Sequence, residues 1–138
     1  MERLIADTGY FVALGRRDDP CHAGAQSFAA RFAGQLVTTS PVIVEACHFL
    51  APQSRLELLD WAIAGTSLAI TEVPVESYRH LSSTIRKYAD RNVDFADASL
   101  VWLAESARLH RILTVDRADF TAFRLKNGRR FKLIDWFR

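Results

Sequence analysis

A handful of carboxylates stand where an ordinary solvated surface does not explain them. Asp7 directly follows the apolar run Leu4-Ile5-Ala6, and Asp116 directly follows Ile112-Leu113-Thr114-Val115. In an open parallel sheet, ligands bind beyond the carboxyl ends of the strands, where the strand order reverses. A single aspartate after a strand is often a helix N-cap, so the weight comes from two such residues on strands that could be neighbours. Glu45 interrupts Val42–Leu50 and shares a helical face with Val42, Ala46 and Phe49. An ionised carboxylate is almost never buried alone, because desolvation costs several kcal/mol. Glu45 therefore wants a cation, a metal, or an escape to solvent.

Asp94 and Asp97 open a further helix. N-cap and first-turn positions account for both, since each can satisfy free N–H groups and complement the helix dipole. Asp97 also shares its face with Leu100, Val101 and Ala104. Like charges three residues apart repel by a few tenths of a kcal/mol when solvated, and by more near a buried sheet end. Asp97 thus reads as a metal ligand, while Asp94 is either a ligand or a cap. Asp7, Glu45, Asp97 and Asp116 become the candidate catalytic set, with Asp94 adjacent. Oxygen-only donors select a hard cation, Mg²⁺ or Mn²⁺. Such ions work on phosphates by lowering the pKa of bound water, orienting it, and neutralising the leaving oxygen. Zinc is the alternative through Cys21-His22 and Cys47-His48, but adjacent side chains diverge and rarely meet one ion.

These residues must be held by an α/β frame. Short β-branched runs alternate with longer helical patterns, which predicts a mostly parallel sheet. Strands are expected over Arg3–Ala6, Leu36–Thr39, Leu68–Val73, Arg111–Val115 and Phe131–Ile134. Helices are expected over Thr8–Leu14, Cys21–Phe32, Ser40–Leu50, Gln53–Ala64, Glu76–Tyr88 and Phe95–Leu109. Ser40-Pro41 supplies an N-cap followed by proline at the first helical position. All candidate acids then fall at strand ends or in first helical turns, and can meet at one end of the sheet.

The 138 residues suit one domain spanning 1–138. No apolar stretch approaches the ~18–20 residues that cross a bilayer, so no membrane partner is expected. The N-terminal apolar run ends at Asp7 and lacks signal-peptide architecture, which points to the cytoplasm. The net charge of +2 is unevenly placed: residues 117–138 carry seven basic and two acidic groups, +5, leaving −3 for the other 116 residues. A basic end on an acidic body can attract a polyanion, although a solvated tail explains the charge as well. Arg86, Lys87 and Arg91 flank Tyr88 as a basic segment with one aromatic, and the three tryptophans and nine phenylalanines read as core or interface.

The motifs Leu4-Ile5-Ala6-Asp7-Thr8-Gly9, Val44-Glu45-Ala46, Asp94-Phe95-Ala96-Asp97-Ala98 and Ile112-Leu113-Thr114-Val115-Asp116-Arg117 come in the order and spacing of a known family. The chain resembles the PIN-domain ribonucleases, and within them the VapC-type toxins of bacterial toxin–antitoxin pairs. The resemblance spans essentially the whole chain. It implies a three-layer fold with a parallel sheet of about five strands flanked by helices, often as a homodimer. It further implies endonucleolytic cleavage of RNA with Mg²⁺ or Mn²⁺, and inhibition by a small antitoxin protein. Asp7, Glu45, Asp97 and Asp116 match the family's acidic site, Asp94 a frequent extra acid, and Thr114 the hydroxyl residue before the last acid. Arg117 is the expected phosphate neighbour. Gly9 stands where members often carry serine or asparagine. Phe11, Val12, Leu14, Phe28 and Phe32 are candidate walls for an antitoxin groove.

Two other readings are open to the same residues. Aspartyl-phosphate chemistry needs a second acid after Asp7 or a lysine near Asp116, and neither stands there. A catalytically degenerate PIN-like module that binds RNA or protein would not need the acids, whose clustering only costs stability without a cation.

Overall fold

The computed structural model describes residues 1–137. Five strands form one sheet in the order β3-β2-β1-β4-β5, with every pairing parallel. The strands are β1 (Arg3–Ala6), β2 (Gln35–Thr39), β3 (Leu68–Thr71), β4 (Arg111–Leu113) and β5 (Lys132–Leu133). The central strands are apolar on both faces, as a sheet covered on both sides requires: Leu4, Ile5, Leu36, Val37, Ile112 and Leu113 are all buried.

Seven helices cover the sheet: α1 (Thr8–Gly15), α2 (His22–Arg31), α3 (Ser40–Phe49), α4 (Pro52–Ala64), α5 (Tyr78–Lys87), α6 (Phe95–Ala107) and α7 (Arg117–Ala122). The chain steps outward from β1 to β2 to β3, then returns past them to β4 and on to β5. Parallel crossovers are right-handed, so this reversal sends α1–α4 to one face and α5–α7 to the other. Most helix contacts follow this division, with α1 against α2 and α3 and α5 against α6, while α3 and α6 also meet each other. The reversal puts a crevice beyond the C-terminal ends of β1 and β4, the two strands that lead into Asp7 and Asp116.

Several boundaries differ from the sequence expectation for physical reasons. The expected helix over 76–88 starts with a 3₁₀ turn at Val75–Ser77 and becomes α-helical only at Tyr78. Thr39, not Ser40, holds the N-cap position of α3, and neither side chain caps the helix. The Ser40 hydroxyl donates instead to Glu72 Oε2 at 2.9 Å, while Thr39 Oγ1 pairs with Ser99 Oγ at 2.7 Å inside the core. Strand β4 ends at Leu113, so Thr114 and Val115 leave the ladder and can turn toward the crevice. Helix α7 was not expected: Asp116 caps it by accepting the Asp119 N–H at 3.2 Å.

The aromatic residues are mostly core. Trp136 is fully buried with its ring edge-on to Tyr10, and Phe28 meets Tyr10 in the same way. Phe28 is buried and stacks with Phe32, so these two expected groove walls belong to the packing of α2. Tyr88 is no base platform either. It lies against Phe123, and its hydroxyl accepts the Arg124 N–H at 2.8 Å.

Candidate functional site

A cleft of about 360 Å³ opens at the C-terminal ends of β1 and β4, and Asp7, Asp19, Glu45, Asp94, Asp97 and Asp116 line it. Each arrives by a different route. Asp7 follows β1 and caps α1, its Oδ1 accepting the Thr8 N–H at 2.8 Å. Thr114 Oγ1 donates to the other carboxylate oxygen, Oδ2, at 2.8 Å. The same hydroxyl accepts the Asp116 N–H at 3.0 Å, so one side chain ties the ends of both strands together. Asp94 and Asp97 form a capping box at the start of α6, with the Asp97 N–H donating to Asp94 Oδ1 at 2.8 Å. Asp94 thus caps the helix and also lines the cleft.

Glu45 sits one turn into α3 and is half-buried. The stripe it shares is buried at Val42 and Ala46 but opens at Phe49, which is 54% exposed and also lines the cleft. Glu45 thus faces the mouth of the cleft and not the core. Gly9, the departure from the family pattern, has a steric reason: a Cβ there would stand 2.4 Å from Val115 Cγ2. The close approach lets Val115 fold over the cleft wall beside α1.

Crowding perturbs these acids. Burial raises the Asp7 carboxyl to about 6. The bonds from Thr114 and Thr8 pull the other way, and the charges of Glu45 and Asp116 add to the rise. Burial, then the charges of Asp94 and Asp7, push Asp97 up to about 8. Asp116 is also raised, chiefly by burial, with the Asp119 N–H opposing. Acids pushed this far by desolvation and by one another are the mark of a functional cleft.

Asp19, on the loop between α1 and α2, lines the cleft without having been singled out from sequence. Its run Arg16-Arg17-Asp18-Asp19-Pro20 reads as a turn, and Asp19 Oδ1 does accept the Cys21 N–H at 2.8 Å. Thr8 lines the cleft too, and its buried Oγ1 has no hydrogen-bond partner among the described residues. Arg117 stands apart. It is exposed, with its guanidinium 5.7 Å from the Phe137 ring centre, and it does not line the cleft. Arg91 is one cation near this end of the sheet, pairing with Asp119 at 3.2 Å and acting on Asp116 by charge. Both cysteines are free thiols, and His22 Nδ1 lies 2.7 Å from the Ala13 carbonyl oxygen.

Among the described residues, no three His, Cys, Asp or Glu side chains are disposed as a ready-made ligand set for one ion. The donors that could hold a metal here are all oxygens: the carboxylates of Asp7, Asp97, Asp116, Glu45 and Asp94, with the Thr8 hydroxyl beside them. Such a set favours a cation that keeps part of its water shell and takes a few carboxylates, as Mg²⁺ does.

Fold and cleft together define a class, a three-layer α/β protein with an acidic crevice at the switch point of a five-stranded parallel sheet. Residues 4–124 match the PIN domain, and the chain belongs to the PIN domain family. It is 29% identical over 135 residues to ribonuclease VapC26 of Mycobacterium tuberculosis (strain ATCC 25618 / H37Rv), spanning 95% of this chain and 99% of that one. Its fold is similar to the crystal structure of Mycobacterium tuberculosis VapC20, a sarcin-ricin loop cleaving toxin. The TM-score is 0.76 at 17% identity, over 83% of this chain and 91% of that one.

Proposed function

We propose that this protein is a divalent-metal-dependent endoribonuclease, the toxin of a toxin–antitoxin pair, working in the cytoplasm. The observation that carries the reading is the convergence of Asp7, Glu45, Asp94, Asp97 and Asp116 on one cleft. Membership of the PIN domain family and similarity to a protein named as a ribonuclease support it.

The donor set fits Mg²⁺ or Mn²⁺. It is all oxygen, its members raise one another's pKa, and a buried hydroxyl without a partner stands among them. When bound, such a cation supplies a water of lowered pKa and positive charge for the leaving oxygen. Asp7 is the fixed point of the site, because bonds from Thr8 and Thr114 hold both its oxygens. Burial and the charges of Asp94 and Asp7 favour the protonated form of Asp97, and a cation held in the cleft would favour its ionised form. Glu45 at the mouth and Asp116 opposite complete the set.

A small antitoxin would bind the same molecule. Its expected apolar groove is better sited between α1 and α4, where Phe11, Leu14, Leu50, Leu58 and Trp61 line a space of about 260 Å³. The family resemblance extends the reading to a homodimer. The exposed side chains of Val44, Leu56, Leu59 and Ile63 on α3 and α4 support a covered surface of that kind.

The test is cleavage of total RNA with Mn²⁺, with Mg²⁺, and in EDTA. EDTA should abolish cleavage and either metal should restore it. Asp7→Asn, Glu45→Gln, Asp97→Asn and Asp116→Asn should each lower the rate by on the order of 10²-fold or more with an intact circular dichroism spectrum. Full activity in EDTA would overturn the reading.

A further inference from the structure

A cavity of about 820 Å³ lies at the opposite end of the sheet from the acidic cleft. Arg108 and His110 immediately precede β4, and Arg129 lies shortly before β5. With Lys126 and Asn127 they line a basin whose only acid is Glu105. That acid is already engaged, Oε1 lying 3.1 Å from His80 Nε2. Arg108, Lys126 and Arg129 form no ion pair among the described residues. Positive charge at this edge is felt at His110, which burial first and then the charges of Arg129, Arg111 and Lys132 hold below its ordinary range.

The basin is built and not incidental. Helix α6 ends there because Arg108 takes a left-handed conformation, φ 55°. The opposite wall is a hairpin turn. Asn127 and Gly128 are consecutive left-handed residues, closed by the Leu125 N–H to Arg129 carbonyl bond at 2.7 Å and by the Arg124–Arg130 bridge. That turn sets Lys126 and Arg129 into the same basin as Arg108.

The basin is also linked to the cleft. Residues 117–132 run from Asp116 through α7 to the cavity wall, carrying Arg117, Arg124, Lys126, Arg129, Arg130 and Lys132 against one acid, Asp119. Helix α6 joins the same two places, with Asp97 in its first turn and Arg108 as its C-cap. At ~1.5 Å per residue, those eleven residues span ~17 Å. At ~3.4 Å rise per stacked nucleotide, that is about five nucleotides of one strand.

We propose that this cavity anchors the phosphodiester backbone of the RNA strand that flanks the cut, several nucleotides from the cleft. The inference rests on the ribonuclease reading for its choice of polyanion. Three uncompensated cations around an open basin suit successive phosphates, which they bind by charge and without reading sequence. The anchor holds long RNA while leaving contacts at the cut unchanged.

The experiment uses the full chain carrying Asp97→Asn, so that binding is read with turnover suppressed. A fluorescein-labelled 30-nucleotide RNA and a 2-nucleotide RNA, too short to span from cleft to basin, are titrated by anisotropy in Mg²⁺ across a KCl series. Arg108→Asn/Lys126→Gln/Arg129→Gln should raise the 30-mer Kd about tenfold or more, and its salt slope should fall by about 2, at about 0.7 per lost single-strand phosphate contact. Binding of the 2-mer should not change. Arg108→Lys/Arg129→Lys, with Lys126 unchanged, should keep the wild-type slope. Arg31→Gln/Arg79→Gln, with two charges removed elsewhere on the surface, should leave it nearly unaltered. An unchanged 30-mer slope, equal weakening of both RNAs, or an equal effect of the distant pair would overturn the anchor. Cleavage of total RNA by the protein with Asp97 intact is measured in parallel. No cleavage together with a reduced slope would sink the nuclease reading while leaving an RNA site standing.

Discussion

The two ends of the sheet are built from opposite charge by the same device. At the C-terminal end, strand termini and helix starts gather six acids around a small cleft. At the N-terminal end, a helix terminus and a hairpin turn gather cations around a larger basin. The acids respond to crowding by rising in pKa, because a carboxylate can take a proton. Arginine and lysine have no such escape at neutral pH, so the basin keeps its charge and only His110 yields. One end is therefore a site whose charge waits on a cation, and the other a permanent attractor for anions.

The largest expected effect breaks the acidic end alone. Asp116→Asn should lower RNA cleavage by on the order of 10²-fold while hardly altering RNA affinity, measured by single-turnover kinetics beside anisotropy. Loss of affinity in step with rate would mean that the acidic end also serves as the anchor.

Next in size is Thr114→Val, which removes the donor to Asp7 and the acceptor for the Asp116 N–H together. Leaving those buried groups unpaired should cost about 1–3 kcal/mol on thermal or urea unfolding. Thr114→Ser should recover most of that loss, and failure to recover would assign the effect to packing.

The pH dependence of stability sharpens the contrast further. Asp7 and Asp97 have folded pKa values of about 6 and about 8, above their ordinary 3.8. Between those limits the folded state binds more protons than the unfolded state, so stability falls as pH rises. In EDTA the melting temperature should drop from pH 5 to pH 8, and Mn²⁺ should flatten the drop. Asp97→Asn should lose less than wild type over the same range. A melting temperature that climbs with pH in EDTA would contradict the crowded-acid picture.

The smallest effect should come from Arg91→Gln. Its bond to Asp119 is 3.2 Å long and partly exposed, so stability should move by less than about 1 kcal/mol. A larger loss on urea unfolding would give Arg91 a part in holding the acidic end together.

Much of the acidic end was legible in sequence, because each acid sits beside a local signal. Asp7 and Asp116 close apolar runs, Asp94 and Asp97 open a helix, and Glu45 interrupts a stripe. Asp19 escaped because its run looks like any turn. Helix α7 escaped because six residues behind Asp116 carry too little periodicity to register, although Asp119 stands where its N–H can be capped. The basic charge of residues 117–138 was visible, but its partner Arg108 lies at the end of a helix well before that segment. Only β4 and β5, parallel neighbours through Arg111–Lys132, bring the two segments to one edge. No local pattern encodes such a juxtaposition, and closeness in sequence to Asp116 does not by itself bring Arg117 into the cleft lining.

Helix α6 gives this arrangement an orientation in solution. Its amino end, which carries the positive half of the peptide dipole, faces Asp94 and Asp97, and its carboxyl end meets Arg108 and His110. The helix field thus opposes the side-chain field at both ends and lowers the energy of holding the charges apart. What remains is a molecular dipole with its positive pole at the basin. A polyanion diffusing toward the metal-free protein is torqued to arrive basin first and is repelled from the acids. With the proposed anchor, capture would precede threading, driven by the side-chain charges against the opposing field of the helix.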